Sequence, residues 1–233
     1  TTEIYTLSLH DALPIYGRFE FTEMREFADY IYNTTDLIDL AGRKYHGKRN
    51  HIAYFKNNHD WHFEPINDGN MQLCLDMNKK WEALNREKDP DEIDNELEAI
   101  KRAFSNFDEL EFKGGVLYAD GAVVAYTLGE ELNSSAFCTH IEKAYASVRG
   151  AYPAINREFA ANMLANYKFI NREDDTGSEG LRKAKLSYYP EILLQKYRFF
   201  RAAFYEFCVF LPVFCARYVF PAHRCCDALA YRV

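Results

Sequence analysis

The segment 114–129 constrains the fold of this chain more than any other part of the sequence. It contains two short runs of β-branched, aromatic and small apolar residues, and the pair Asp120-Gly121 joins them. An Asp-Gly pair between two such runs is the strongest local signal for a β-hairpin, because a tight two-residue turn needs residues that accept a positive φ. We therefore expect two short antiparallel strands here.

The pattern after this hairpin alternates between strands and helices. A third strand is predicted at 136–143, and a helix with one apolar stripe is predicted over 152–167. A short strand at 169–171 and a final helix over 181–188 follow. A hairpin, a strand, a glycine turn, a helix, a strand and a helix make an α+β order.

Helices are predicted before the hairpin as well. Residues 70–87 and 92–107 carry apolar residues near helical spacing, and the basic stretch 43–51 runs on into a helix. The pattern over 20–39 predicts a further helix, followed by a polar turn at 33–36 that can cap a new helix.

Composition excludes several classes of protein. Of the 233 residues, 48% are apolar and 27% are charged, and 28 Lys and Arg against 35 Asp and Glu give a net charge of −7. These values exclude a disordered, a collagen-like and a polytopic membrane protein. The negative balance excludes a globally basic nucleic-acid binder too.

The two ends differ from the rest of the chain. Residues 1–16 lack the basic and apolar regions of a secretory signal and are typical of a translated sequencing adapter. Residues 198–233 hold seven Phe, four of the six Cys and no Lys, as expected of translation past a damaged stop codon. We expect both ends to be non-native, so that the domain spans 17–197. Only Cys74 and Cys138 then remain, which favours a reducing, cytoplasmic location.

Six blocks of sequence occur in the order of one known family. They are 29–33, 42–52, 140–144, 149–152, 170–174 and 180–188. With these blocks the chain resembles, over about 19–197, the C-terminal domain of bacterial phosphatidylglycerol lysyltransferases, a domain that also occurs alone with unknown function. The resemblance implies a GNAT-type acyltransferase fold, with a mixed central sheet flanked by helices. It also implies a second lobe with only the edge of a first one, truncated at the N-terminus.

The resemblance implies transfer of an aminoacyl group from aminoacyl-tRNA to an acceptor that the sequence does not identify. In the lysyltransferases the acceptor is a lipid glycerol hydroxyl. Two other functions stay open: a coenzyme-A-dependent N-acyltransferase, and a non-catalytic module that binds RNA or a protein partner. No cofactor is expected, because aminoacyl-tRNA is the donor substrate and coenzyme A is disfavoured.

Catalytic candidates lie on the central strand and on the loop after the next strand. Acyl transfer needs a positioned nucleophile, a proton acceptor and a donor for the oxyanion. Strand alternation puts His140 and Glu142 on one face, where they can orient one another or share a proton. Glu173 and Asp174 are the next candidates. The alternative for the first pair is a solvated or salt-bridged strand end.

Substrate-binding candidates are mostly cations that could contact an anion. They are Arg43, Lys44, Lys48, Arg49, Lys143, Arg149, Gly150, Arg172, Arg182, Lys183 and Lys185. The stretch 43–51 holds four cations and two histidines on an acidic protein, which indicates a directed contact with a tRNA backbone, an anionic headgroup or an acidic partner. Contact with the inner membrane face would then be peripheral. The two histidines have no third ligand at a suitable spacing, so no metal is expected.

Two short motifs have both a structural and a functional interpretation. Arg149-Gly150-Ala151 lies where GNAT acetyltransferases place a phosphate-binding loop, but one of the two glycines of that loop is absent. It is therefore either a degraded phosphate loop or an ordinary turn. The spacing of Thr176 and Glu179 predicts a capped helix that presents cations in its first turns, either for phosphate or for pairing with nearby acids.

Overall fold

The computed structural model describes residues 19–85 and 90–201. The chain divides into two compact units. Residues 32–172 form the first, here called the sheet unit; the described residues up to 31 and from 173 onward belong to the second, called the terminal unit. The prediction that 1–16 is non-native lies outside the described residues, and so does nearly all of the segment 198–233. Among the described residues, no helix has the length and apolarity to cross a bilayer.

Six α-helices and nine strands are described. In chain order they are β1 (Phe19–Glu23), β2 (Asp29–Asn33), α1 (Thr34–Asp39), α2 (His46–Asn58), β3 (Trp61–Pro65), α3 (Met71–Asn85), α4 (Pro90–Ser105), β4 (Lys113–Ala119), β5 (Ala122–Asn133), β6 (Ala136–Ala144), α5 (Ala151–Met163), β7 (Phe169–Asn171), α6 (Glu179–Leu186), β8 (Ile192–Leu194) and β9 (Tyr197–Arg201). This mixture confirms the expected α+β class.

The sheet unit is built on strands in the order β3-β4-β5-β6-β7. Neighbours are antiparallel up to β6, whereas β6 and β7 are parallel, so the sheet is mixed as expected. The Asp120-Gly121 turn joins β4 to β5, and Gly121 has a φ of 78°, which confirms the predicted hairpin. β7 pairs with β6 only over three residues, from Ala136 to Cys138.

Helices cover both faces of this sheet. Strand alternation sends Val116 and Tyr126 into one apolar cluster and Leu117 and Ala125 into another. The first cluster packs the sheet against α3 and α4, and the second packs it against α2 and α5. The sheet therefore holds α2 and α5 on one side, which is the side that carries the candidate site described below.

The terminal unit contains two antiparallel strand pairs and α6. β1 pairs with β9 from Phe19↔Arg201 to Glu23↔Tyr197, and β2 pairs with β8 from Asp29↔Leu194 to Ile31↔Ile192. β9 therefore continues four residues beyond the expected domain boundary at 197.

The predicted helix over 20–39 is wrong. This segment forms β1, a 3₁₀ turn at Arg25–Phe27, β2 and only then the short helix α1. The reason is that Tyr30, Ile31 and Tyr32 are all buried in succession, as in a strand covered on both faces. A continuous apolar run of this kind fits a buried strand and a buried helix equally well. The predicted helices at 70–87 and 92–107 are confirmed as α3 and α4, and the strand at 169–171 is confirmed as β7.

Candidate functional site

Glu142 lies near the end of β6, beyond the point at which β7 stops pairing with that strand. The last paired residues are Cys138 on β6 and Asn171 on β7. Parallel strands that cease to pair open a gap at their carboxyl ends, which is a common place for a ligand site in sheets of this kind. β6 continues along one side of this gap to Ala144, and Arg172 follows directly after β7 on the other.

Two side chains hold the Glu142 carboxylate. Arg172 Nη2 donates to Oε1 at 2.8 Å, and Asn156 Nδ2, from the middle of α5, donates to Oε2 at 3.1 Å. The side chains of Glu142 and Arg172 are only 13% and 11% exposed. A charged pair this buried, with a second hydrogen bond from Asn156, is a fixed arrangement rather than a mobile surface contact.

Lys48 belongs to the same group of side chains. It lies half-buried on α2, where Arg172 and Glu142 both act on its charge. Burial and the Arg172 guanidinium lower the pKa of Lys48 to about 8, and the Glu142 carboxylate opposes this shift in part. We call Lys48, Glu142, Asn156 and Arg172 the Glu142 cluster.

Three of the four members are residues that the sequence analysis selected. Glu142, Lys48 and Arg172 come from separate blocks of sequence, and the structure brings them together. Asn156 was missed. Its only signal in the sequence is a polar amide directly after Ile155 of the apolar stripe that predicts α5.

His140 does not pair with Glu142 as expected. A β-bulge between β5 and β6 places Leu128 opposite Ile141 but Gly129 opposite Thr139, so His140 is the extra residue and the simple alternation fails. Its Nε2 lies 3.1 Å from Glu130 Oε1, whereas the hydrogen bonds of Glu142 come from Arg172 and Asn156. A catalytic role of His140 stays a prediction, without this pairing to support it.

The cations of 43–51 are not all available for a ligand. Arg49 Nη1 donates to the carbonyl oxygen of Leu40, so this residue caps the end of α1. Lys44 lies 3.9 Å from Asp36, a weak exposed pair, and Arg43 is exposed. Lys48 is thus the member of this stretch that joins the Glu142 cluster.

Arg149 and Gly150 connect β6 to α5 and contact α2. The Arg149 guanidinium stacks on the Tyr54 ring at 4.2 Å, and Gly150 caps α5 with a φ of 90°. A Cβ at Gly150 would lie 2.2 Å from the carbonyl oxygen of His51. This close approach of two backbones explains why a glycine is needed at position 150, without any contact with a phosphate.

The start of α5 offers few free donors. The Ala151 N–H already donates to the carbonyl of Val148, and the Ala154 N–H donates to that of Gly150. Pro153 has no N–H at all. A pyrophosphate cradle needs several free amides at a helix start, so this terminus is poorly equipped to be one.

Lys143 lies on the other face of the sheet from Glu142. Its Nζ is 2.6 Å from Glu96 Oε2 of α4 and 3.6 Å from the centroid of a ring of Trp81 on α3. The side chain is 8% exposed. Lys143 therefore has a structural role, because its side chain packs between the sheet and the helices that cover it.

In the terminal unit, Arg182 of α6 holds the fully buried carboxylate of Asp175. Arg182 donates to both of its oxygens at 2.8 and 2.9 Å, and the Tyr30 hydroxyl donates at 2.5 Å. These hydrogen bonds, with that of Arg182 the largest, hold the pKa of Asp175 well below its usual range. Phosphate binding by Arg182 stays a prediction, beside this structural role.

The neighbouring residues differ in exposure. Lys185 is buried and its Nζ donates to the Asp174 carbonyl, whereas Lys183 is exposed. The Glu173 carbonyl accepts from the Tyr30 N–H, and the Asp174 carboxylate accepts from the N–H of Thr176. The side-chain cap of α6 is Ser178, which accepts from the Leu181 N–H, so the predicted cap at Thr176 is wrong.

Comparison with known proteins identifies a family and several similar proteins for this chain. A protein-family model described as "Phosphatidylglycerol lysyltransferase, C-terminal" matches residues 5–200. A conserved protein of unknown function from Bacteroides thetaiotaomicron VPI-5482, solved by crystallography, is 43% identical with a TM-score of 0.76, over 81% of this chain and 64% of that one. L-PGS from Bacillus licheniformis is 15% identical with a TM-score of 0.54, over 80% and 63%.

A third relative is an uncharacterized protein of Mycoplasmoides gallisepticum. It is 24% identical over 179 residues, which are 72% of this chain and 54% of that protein. The chain therefore spans about half the length of this relative and less than two thirds of the two solved structures. The likeness to L-PGS concerns the fold alone, and it agrees with the expected mixed central sheet flanked by helices.

Proposed function

Because the chain belongs to the phosphatidylglycerol lysyltransferase C-terminal family, we propose that it transfers an aminoacyl group from aminoacyl-tRNA to an acceptor substrate, with the Glu142 cluster as its site. The reaction is an acyl transfer: a hydroxyl or amine of the acceptor substrate attacks the aminoacyl ester, and the tRNA leaves. It takes place in the cytoplasm, with peripheral contact at the inner membrane face if the acceptor substrate is an anionic lipid.

One observation carries this proposal. Glu142 is held by Arg172 and Asn156 at the open end of the parallel strand pair, with Lys48 beside them. A carboxylate fixed in this way can take the proton of an attacking nucleophile, and two adjacent cations can stabilise the negative charge that develops on the ester oxygen. Since the protein forms no covalent bond in such a reaction, positioning of these groups is its main contribution.

The choice of aminoacyl-tRNA as the donor substrate rests on two features near the cluster, the cations around α2 and the start of α5. The exposed Arg43 and Lys44 precede Lys48, in the 3₁₀ turn directly before α2. The Arg149 guanidinium stacks on Tyr54 of α2 and adds a flat cationic surface. Phosphates and bases of RNA suit such a surface. Coenzyme A is the less suitable donor, because Pro153 and the bonded Ala151 amide leave the start of α5 with few free donors.

Binding and transfer by the full chain test the proposal. In a gel-shift titration we expect charged tRNA to bind more tightly than the same tRNA uncharged, since only an enzyme that uses the donor recognises the aminoacyl end. The transfer assay follows a radiolabelled aminoacyl group from tRNA into hydroxyl- and amine-bearing acceptors, including phosphatidylglycerol vesicles. Equal binding of the two tRNAs together with no transfer would refute the proposal.

Glu142→Gln separates proton transfer from positioning. Glutamine keeps the size and one hydrogen-bonding oxygen of glutamate but cannot take the proton, so we expect at least a hundredfold loss of transfer, in the range of general-base contributions, with tRNA affinity unchanged. The control is Glu98→Gln, an exposed carboxylate of α4 whose partner is Arg102. Near-normal transfer by Glu142→Gln would move the base elsewhere, and Glu173 and Asp174 would be tested next.

A further inference from the structure

Asn156 is a member of the Glu142 cluster whose hydrogen bonding is incomplete among the described residues. It is 6% exposed in the middle of α5. Its Nδ2 donates to Glu142, but in the described part of the chain its Oδ1 has no hydrogen-bond partner. A buried amide oxygen without a hydrogen-bond donor destabilises the fold. Holding Glu142 requires only the NH₂ group of Asn156, so that role does not explain the buried oxygen.

The orientation of this amide follows from its neighbour. A carboxylate only accepts hydrogen bonds, so the NH₂ group of Asn156 must face Glu142 and the oxygen must be the atom left over. A flipped amide would bring two acceptors together. Because both amide atoms are bonded to one carbon, the oxygen lies directly beside the Glu142 carboxylate. A hydrogen-bond donor that reaches the oxygen is therefore placed next to the proposed proton acceptor.

We propose that Asn156 is a specificity-determining residue: its amide oxygen accepts a hydrogen bond from an uncharged hydroxyl group of the acceptor substrate, in preference to an ammonium group. This inference rests on the proposed function, because it assigns the nucleophile of that reaction. The hydroxyl that donates to Asn156 lies beside Glu142, which is the geometry that proton removal requires.

The charges around Asn156 favour an uncharged donor. Arg172 already neutralises Glu142, and Lys48 adds a further positive charge. The surroundings already disfavour the charged form of Lys48, since burial and the Arg172 charge lower its pKa. An ammonium brought by a substrate would meet the same repulsion. The Glu142 side chain, which contacts Asn156, is 13% exposed, so this cluster is not fully closed to small groups.

Two matched probes test this selectivity in the full chain. Calorimetric titrations at pH 7 compare 2-hydroxyethyl phosphate with 2-aminoethyl phosphate, and inorganic phosphate measures the common anion contact. We expect the wild-type chain to bind the hydroxyl probe about tenfold more tightly than the ammonium probe, which is the scale of the net contribution of one hydrogen bond. Asn156→Leu should abolish this preference, because leucine offers no acceptor to the hydroxyl.

Controls separate this role from a structural one. Inorganic phosphate should bind all variants within about twofold, and Asn162→Leu, which changes an exposed amide on the same helix, should leave the preference intact. Equal binding of the two probes to wild type, no binding of either, or an unchanged preference in Asn156→Leu would overturn the inference. Loss of phosphate binding in Asn156→Leu would show that Asn156 only holds Glu142. An intact preference without aminoacyl transfer would refute the proposed function alone.

Discussion

At pH 7 the Lys48 ammonium is held half-buried and beside a second cation, Arg172. The pKa of Lys48 is about 8 in the folded chain and near its ordinary 10.5 in the unfolded one. The unfolded chain therefore binds this proton more tightly, and the charged side chain opposes folding. Residues that destabilise a fold in this way are typical of functional sites.

This gives a first prediction, for Lys48→Met. The variant removes the buried charge and keeps the apolar stem, so we expect it to be about 1 kcal/mol more stable at pH 7. Wild-type stability should rise with pH between about pH 8 and 10.5, and this rise should be smaller in the variant. Urea unfolding at several pH values measures both effects. A variant less stable than wild type at pH 7 would contradict this account of Lys48.

Arg182 and Lys183 are neighbours on α6, and we expect different effects when each is replaced. Arg182 holds the buried Asp175 carboxylate, whereas Lys183 is exposed. We expect Arg182→Ala to lower the hydrogen-exchange protection of peptides from β2 and α6, because the buried Asp175 carboxylate loses both hydrogen bonds from Arg182 and keeps the longer ion pair with Arg25, at 3.3 Å. Lys183→Ala should leave protection unchanged. Unchanged protection in both variants would show that Asp175 does not depend on Arg182.

Acid should act on the same contact. Since the folded pKa of Asp175 is lowered, its contribution to stability is complete above the ordinary pKa of 3.8 and is lost as the pH falls below that value. Protection of β2 and α6 in the wild-type chain should therefore decrease from pH 5 to pH 3. Asp175→Asn should show less of this decrease.

At the scale of elements, the contact of α2 with the start of α5 fixes Lys48 relative to Asn156. Gly150 makes this contact possible, because only a residue without Cβ fits its positive φ and its distance to the His51 carbonyl. Phe55 of α2 and Ile155 of α5 complete the contact in one apolar cluster. The two helices thereby carry Lys48 and Asn156 to the same end of the sheet.

Gly150→Ala should disrupt this contact. We expect a loss of about 2–4 kcal/mol in the free energy of unfolding, since the new Cβ would overlap backbone and adopt a strained φ. The matched control is Gly47→Ala on α2, where a Cβ meets nothing within 4 Å. There, helix propensity predicts a gain of roughly 0.5–1 kcal/mol. Thermal or urea unfolding compares them, and a Gly150→Ala variant as stable as wild type would refute the close approach.

At the scale of the whole molecule, β9 decides where the chain can be shortened. Its backbone pairs with β1 through Arg201, although the sequence places the end of the domain at 197. We expect removal of 1–16 and 202–233 to leave the thermal transition unchanged or sharper, because Phe-rich sequence adds aggregation surface. Removal from 198 onward should instead expose β1 and broaden the transition. Equal transitions for the two truncations, measured by calorimetry, would contradict a contribution of β9.

Local patterns were enough to predict most elements of the sheet unit. The Asp120-Gly121 hairpin, the amphipathic helices α3 and α4, and β7 depend on turn chemistry and periodicity within a few residues, which the sequence displays directly. The helix predicted over 20–39 failed because its run of buried aromatics fits two periods, and only pairing with another strand distinguishes them. β2 finds that partner in β8, far along the chain.

The sequence by itself determined the α+β class and selected Glu142, Lys48 and Arg172 as candidates. Only the tertiary structure decided that these three meet, that Asn156 joins them, and that a bulge directs His140 to Glu130. It also decided that Arg182 and Arg49 have partners of their own. The reason is physical: a cation is equally plausible as a ligand contact or an ion pair until packing brings a distant carboxylate or carbonyl within hydrogen-bond distance.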